Sequence, residues 1–403
     1  VSSLFPAKVN LRTPEVMAEV QEQVEHHYHS SLVEQLRANG SVLTLGRTTI
    51  RLAKKFGFCY GVERAIDLAY AARKVFPKAR LFLIGEIIHN PEVNAQIAAL
   101  GICNLLDERG EPRVDDLGPE DVVIVPAFGA EVSLLETIKS HGCRMVDTTC
   151  GDVMSVWKRV RQNATEEVTS IIHGKASHEE TRATASRALG SGNGRYLIVL
   201  NLAETDRICE IIRGGGDREK FLCEFSGRFS EGFDPEKHLR RLGVANQTTM
   251  LRAETEEVQR RLREAIIERD GDATNFRLFD TICGATQERQ DALRDLLESP
   301  QYPPHLLLVV GGYNSSNTTH LAEMGEEKIP TWFIRNQECM ESSERIRHFD
   351  LAQKREILSE TAWLPEGNLH IAITAGASCP NNLIEEVILR LLVLRGESLP
   401  TDY

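Results

Sequence analysis

An α/β fold with parallel sheets is predicted by two features. Short β-branched runs alternate with stretches of helical periodicity from Arg51 onward, and a cysteine-bearing strand-to-helix step recurs three times. The length of 403 residues, with 41% hydrophobic and 26% charged side chains, fits a globular chain of two or three domains and excludes a disulfide-stapled module or a disordered chain. A net charge of −12 argues against nucleic acid and anionic membranes as partners, so an anionic ligand must be held by local donors. No apolar run approaches the roughly 20 residues that cross a bilayer. Val1–Asn10 lacks the basic-then-apolar order of a secretory signal, so a soluble, non-exported chain is expected. Nine cysteines in such a chain favour reduced thiols, metal ligation or catalysis over a disulfide framework.

Taken in order, the first elements are helix-like stretches at Pro14–Val24 and Ser31–Ala38. The neighbouring His26-His27-Tyr28-His29 cluster reads as the solvated face of a surface helix rather than a metal site. Strands are expected at Leu81–Ile84, Val122–Val125, Thr169–Ile172, Tyr196–Leu200, Leu306–Val310 and His370–Thr374. Gly190–Gly194 and Gly214–Gly216 are loops, and Glu254–Asp270 reads as a charged, solvated surface helix.

The repeat is the most informative feature. Asp147-Thr148-Thr149-Cys150-Gly151 returns as Asp280-Thr281-Ile282-Cys283-Gly284, each after apolar residues (Met145-Val146; Leu278-Phe279) and before a helix-like stretch. One such helix aligns Val153, Val156, Trp157 and Val160, and the other aligns Ala292, Leu293, Leu296 and Leu297. A looser copy, Phe56 to Gly61 around Cys59, leads into Val62, Ala65, Ile66 and Ala69. The spacing divides the chain into an N-terminal extension, 1–49, and three related α/β units, 50–149, 150–282 and 283–398, arranged around a common centre.

A thiol at a helix N-terminus feels the positive end of the dipole, which favours the thiolate that binds metal or attacks as a nucleophile. Three thiolates without a fourth suit an iron–sulfur cluster with one open iron, or a zinc ion with an open position. A zinc hydrolase and a non-catalytic iron–sulfur sensor therefore stand beside a redox enzyme at this point. Cys103, Cys143, Cys209, Cys223, Cys339 and Cys379 share no repeated context and read as packing residues.

Polar clusters fall at other strand ends. Gly311 to Thr318 joins a strand to a helix and makes an anion cradle from glycines, hydroxyls and a helix N-terminus, without a Walker or GxGxxG pattern. His89-Asn90, His173-Gly174-Lys175 with His178-Glu179-Glu180, Gln247-Thr248-Thr249 and Thr374 to Ser378 occupy similar places, where α/β folds collect ligands. Jointly they describe donors suited to phosphate oxygens and one carboxylate, Glu180, suited to moving a proton. Glu179, its neighbour in an expected extended segment, should face the opposite way.

Phe56-Gly57-Phe58-Cys59-Tyr60-Gly61-Val62-Glu63-Arg64-Ala65, Ile88-His89-Asn90, Asp147 to Cys150, His178 to Glu180, Gln247 to Thr249, Thr281 to Gln290, Asn314 to Asn317 and Thr374 to Pro380 carry a resemblance. In that order, and from about Arg51 to Leu394, they resemble the LytB/IspH family of 4-hydroxy-3-methylbut-2-enyl diphosphate reductases. The N-terminal extension and Pro126-Ala127-Phe128-Gly129 look like the longer plastid and cyanobacterial branch. The resemblance implies a trefoil of three α/β domains around a [4Fe–4S] cluster held by Cys59, Cys150 and Cys283. It implies reductive dehydration of the allylic diphosphate to isopentenyl and dimethylallyl diphosphate, the last step of the non-mevalonate isoprenoid pathway. By motif, His89, His178, Ser315, Ser316, Asn317 and Ser378 grip the diphosphate. Thr248 sits catalytically by the hydroxymethyl end, and Glu180 relays the proton. An electron donor of ferredoxin or flavodoxin type, a monomer or homodimer, and a cytoplasmic or plastid-stromal location complete the expectation. Two departures stand out. Phe128 replaces a diphosphate-binding His of the shorter bacterial enzymes, and Gly151 replaces a common Pro, loosening a turn without removing a ligand.

Overall fold

The computed structural model describes residues 10–190, 192–279 and 281–399. The opening segment Val1–Val9, Ser191 of the glycine-rich loop and Asp280 of the second cysteine repeat lie outside them. Two compact units form, one from residues 78–85 and 103–283, the other from residues 10–77, 86–102 and 284–399.

The first unit contains two sheets. In one, Leu81–Leu83, Val122–Val125 and Arg144–Asp147 lie side by side in parallel. In the other, Phe276–Arg277, Leu242–Asn246, Thr169–His173 and Tyr196–Val199 are parallel in that spatial order. The two inner strands are buried along their whole length, as expected where helices cover both faces. Strand alternation divides the core. Ile171, Leu197 and Val244 pack with Ile208 of helix Leu202–Ile212 and with Val258, Leu262 and Ile266 of helix Arg252–Asp270. Ile172, Ile198 and Ala245 pack instead with Val156, Val160 and Ala185, from helices Gly151–Thr165 and Glu179–Ala188. The helix expected at Glu254–Asp270 is therefore solvated on one face only. Its outer face carries Arg260 paired with Glu257 and Glu264 at 2.7 and 2.6 Å.

The second unit is built on a five-stranded sheet, Val42–Leu45, Thr48–Leu52, Leu369–Ala375, Leu306–Val310 and Thr331–Ile334. Only the first pair is antiparallel, a hairpin with Val42 opposite Arg51. Leu306–Val310 aligns Leu306 with Ile371 and Leu307 with Thr331, and every residue of that strand is buried. Leu321, Leu383, Ile384, Val387 and Leu293 from the surrounding helices complete the core. A separate antiparallel hairpin, Arg345–Asp350 with Arg355–Glu360, was not signalled by the helix–strand alternation.

At the N-terminus, helices Pro14–Tyr28 and Ser31–Ala38 begin at the side-chain caps Thr13 and Ser30. In the His26–His29 stretch, His26 and His29 are exposed as expected, whereas His27 is half-buried and Tyr28 buried. Tyr28 is buried, its hydroxyl accepts that of Tyr70 at 3.2 Å, and His27 Nδ1 lies 2.7 Å from the Tyr70 hydroxyl. Burial of the Tyr28 ring against Tyr70 and Phe58 outweighs the polar pattern of the surrounding residues. Among the described residues, no helix is long and apolar enough to cross a membrane.

Candidate active site

Each repeated cysteine stands where a turn is fastened before a helix begins. Asp147 Oδ1 accepts the Thr149 N–H at 3.0 Å and its hydroxyl at 2.5 Å, while the Thr148 hydroxyl donates to the Val125 carbonyl at 2.6 Å. Cys150 then donates its N–H to the Ala127 carbonyl at 2.8 Å and occupies the N-cap of Gly151–Thr165, with its thiol not used for capping. The Ala127 loop is held in turn by Gly129. With φ of 81°, a Cβ there would meet the Trp157 ring at 2.4 Å, so only glycine fits. Arg187 stacks on the same ring, 3.3 Å from its centroid, and donates to the Ala130 carbonyl at 2.7 Å; burial pulls its pKa down to about 10.

Cys283 precedes helix Gly284–Leu297, and its N–H points to the Thr248 carbonyl at 3.4 Å. The strand that leads to this repeat ends at Arg277, before the apolar pair Leu278-Phe279. Leu278 is 57% exposed, and the Phe279 carbonyl accepts from Gln259 Nε2 at 3.1 Å instead of from a neighbouring strand. Cys59 occupies the N-cap of Tyr60–Val75, with its N–H on the Ala377 carbonyl at 3.2 Å. Arg289, which is buried, secures the preceding turn by donating to the Gly57 carbonyl at 2.6 Å.

None of the nine cysteines is in a disulfide, and the three of intermediate exposure are Cys59, Cys150 and Cys283. Cys143, Cys209, Cys339 and Cys379 are buried, as packing residues should be, and burial pushes the Cys209 thiol up to about 11. Cys103 and Cys223 are exposed, which corrects their reading as packing residues: each side chain lies on the solvent side of its strand or helix, where nothing needs to be filled.

Glu180 and Thr248 meet in the first unit. The Thr248 N–H donates to Oε1 of Glu180 at 2.6 Å and its hydroxyl to Oε2 at 2.9 Å, and both residues are buried. His178 caps helix Glu179–Ala188, its Nδ1 accepting the Glu180 N–H at 3.2 Å. Glu179 and Glu180 therefore begin a helix and do not lie in an extended segment. The expected separation still results, since consecutive helical residues are about 100° apart; Glu179 is exposed while Glu180 is buried. Phe128, at the position of the departure noted in the sequence, meets the His178 ring edge-on at 6.3 Å between centroids. His173 is committed elsewhere, fully buried with Nδ1 2.8 Å from the Thr255 hydroxyl.

His89, Ser315, Asn317 and Ser378 come together in the second unit. The Ser378 hydroxyl donates to the His89 carbonyl at 3.1 Å and lies 3.5 Å from the Ser315 hydroxyl, while Asn90 Nδ2 donates to the Ser378 carbonyl at 2.9 Å. Ser315 caps helix Ser316–Glu326, so Ser316 and Asn317 form its first turn. Asn317 Oδ1 accepts the Ala377 N–H at 2.9 Å, leaving its buried Nδ2 without a protein partner. A hydroxyl-rich helix start with an unused amide donor is suited to an anion. Glu86 was absent from the sequence reading. It holds His89 Nδ1 at 3.0 Å and accepts from Asn314 Nδ2 at 2.7 Å, so it sets the imidazole's orientation. Its position three residues before His89 was the available signal.

The model of the family described as LytB protein matches residues 50–392. A protein of Gloeobacter violaceus described as 4-hydroxy-3-methylbut-2-enyl diphosphate reductase is 45% identical over 387 residues, covering 94% of this chain and 91% of its own. Two solved structures share the fold. One, described as (E)-4-hydroxy-3-methyl-but-2-enyl diphosphate reductase, the terminal enzyme of the non-mevalonate pathway, is 24% identical and covers 86% of this chain and 100% of its own, with a TM-score of 0.53. The other, the E-1-hydroxy-2-methyl-but-2-enyl-4-diphosphate reductase of Plasmodium falciparum, is 22% identical and covers 86% and 90%, with a TM-score of 0.63. With the family's match extending over the three cysteine turns, the Glu180–Thr248 pair and the Ser315–Asn317 helix start, the chain belongs to the LytB family.

Proposed function

We propose that this chain is a 4-hydroxy-3-methylbut-2-enyl diphosphate reductase, which replaces the substrate's allylic C–O bond by C–H with two electrons and two protons and releases water. Isopentenyl and dimethylallyl diphosphate are the products, as in the terminal step of the non-mevalonate pathway. Family membership sets this reading above the zinc hydrolase and the sensor. The observation that carries the chemistry is the buried Glu180–Thr248 pair, in the same unit as Cys150 and Cys283.

The donor set fits a [4Fe–4S] cluster: Cys59, Cys150 and Cys283 are thiols in no disulfide, of intermediate exposure and at helix starts, where the dipole favours thiolate. When bound by these three residues, the cluster supplies low-potential electrons one at a time and an iron not ligated by protein.

The chain's own residues do the rest. Asn317 Nδ2, the hydroxyls of Ser315, Ser316 and Ser378, and His89 and His178 hold the diphosphate through charge-assisted hydrogen bonds. Thr248 orients the hydroxymethyl end. A proton on Glu180 Oε2 passes to Thr248 Oγ1 as the threonine's own hydrogen turns to the substrate oxygen, which then leaves as water. Phe128 has no polar group to offer the anion, and its ring meets that of His178 edge-on. The electron donor is a ferredoxin- or flavodoxin-type protein, and the cytoplasm or plastid stroma is the compartment where it would be met.

The test is anaerobic turnover with a chemical reductant and 4-hydroxy-3-methylbut-2-enyl diphosphate, following both products. Release of inorganic phosphate without either alkenyl product would establish a hydrolase instead.

A further inference from the structure

The first unit has a cationic cleft that the reductase reading does not use. A cleft of about 360 Å³ is lined by Arg195, Lys237, His238, Arg240 and Arg241, with Glu167 as its one lining carboxylate. In a chain of net charge −12, four obligate cations around one concavity are a marked local reversal.

The guanidinium groups are anchored by neutral carbonyls. Arg195 Nη1 donates to the Gly194 carbonyl at 2.8 Å, Arg241 Nη1 to the Glu166 carbonyl at 3.0 Å, and Arg240 Nε to the Glu236 carbonyl at 3.3 Å. Anchoring of this kind fixes direction without cancelling charge. Nε of Arg195 is buried with no protein partner. The nearby carboxylates are largely engaged: Glu166 pairs with Arg277, and Asp234 is shared between Arg218 at 3.4 Å and Lys237 at 3.6 Å. His238 Nδ1 accepts the Asp234 N–H at 2.7 Å, so in the neutral ring Nε2 carries the hydrogen and is a donor. Burial, and then the charge of Arg195, hold its pKa below the usual histidine value.

Position separates this cleft from the Glu180–Thr248 pair. Thr169, Arg195 and Arg241 stand at or just before the first residues of Thr169–His173, Tyr196–Val199 and Leu242–Asn246, whereas Glu180 and Thr248 follow the other ends of that parallel sheet. A five-residue strand spans roughly 16 Å, too far for one small substrate to occupy both places.

We infer that this cleft is a second anion site, one that binds the diphosphate group of a small phosphorylated molecule at the N-terminal edge of the sheet. Three arginines, and a lysine that also pairs with Asp234, face one lining carboxylate, an excess of positive charge suited to a diphosphate, whose oxygens guanidinium groups can bind bidentately.

The test uses the anaerobically purified full chain and inorganic diphosphate, read by hydrogen–deuterium exchange peptide by peptide. Binding at this cleft is thereby scored separately from any binding at Asn317, and neither result depends on the reductase reading. Diphosphate should slow exchange in residues 193–195 and 237–241 by at least about threefold. Lys237→Glu with Arg240→Glu, both exposed positions, should raise the concentration needed at least roughly tenfold without altering protection around Asn317. Lys237→Gln with Arg240→Gln gives the same direction without introducing acid. Absence of protection at saturating diphosphate, or protection that both double variants leave unchanged, would overturn the assignment.

Discussion

Thr248 donates twice to Glu180, through its N–H at 2.6 Å and its hydroxyl at 2.9 Å, so both oxygens of a buried carboxylate are matched to one residue. Glu180→Gln replaces one acceptor with an NH₂ group facing a donor and removes the acid. Turnover with a chemical reductant should fall by about 10²–10⁴-fold, with cluster content retained. Glu179→Gln, at an exposed position, should cost little. Wild-type turnover in Glu180→Gln, or a crippled Glu179→Gln, would show that the proton travels another way.

Asn317 gives a second prediction, because its Oδ1 is used by Ala377 while Nδ2 is buried and unpaired. Asn317→Ala should weaken inhibition by pyrophosphate roughly ten- to a hundredfold, the equivalent of one charge-assisted hydrogen bond. Asn317→Asp keeps the acceptor but presents a carboxylate to the anion, so it should bind worse than the alanine variant. Equal inhibition in all three proteins would move the anion elsewhere.

Gly151 can be tested for stability alone. It is the first helical residue after Cys150, whose φ of −61° and ψ of 145° suit a residue before proline, and nothing lies within 4 Å of a Cβ built there. Gly151→Pro should stabilise the chain by about 0.4–1 kcal/mol in thermal or denaturant unfolding, by restricting the unfolded state. A clear loss of stability would mean that the turn needs glycine's freedom.

Asp121 connects stability to pH. Its hydrogen bonds from Arg80, at 2.8 and 2.6 Å, hold its carboxyl below the usual range. The stabilisation is therefore complete above the unfolded carboxylate pKa of roughly 4 and is lost as pH falls through the lower folded value. Asp121→Asn should lower the unfolding midpoint at pH 7 and narrow its gap to wild type in acid; a constant gap would contradict the assignment.

Much of this was legible in the sequence. Val122–Val125 and Leu306–Val310 are apolar runs of strand length, and the structure has strands of those bounds because both are covered on each face. The helix after Cys150 buries the four residues that its periodicity aligned. Pairing was not legible: nothing local in Thr48–Leu52 says that it joins Leu369–Ala375, since that contact is set by closure of a long loop. Tyr28 was hidden by its polar neighbours, and the Leu278 region by an apolar pair that stays outside the sheet. At the site, Glu180 and Thr248 could be nominated by residue type, but their hydrogen bonds required the fold. Glu86 was missed because an acid beside a strand end is ordinarily solvated.

Metal and acid-labile sulfide analysis of anaerobically purified protein tests the central claim most directly. About four irons and four sulfides per chain are expected, with visible absorption. Cys59→Ser, Cys150→Ser and Cys283→Ser should each lose most of both, while Cys103→Ser, at an exposed position, should keep them. Zinc without sulfide, or full iron and colour in any one of those three variants, would contradict the account.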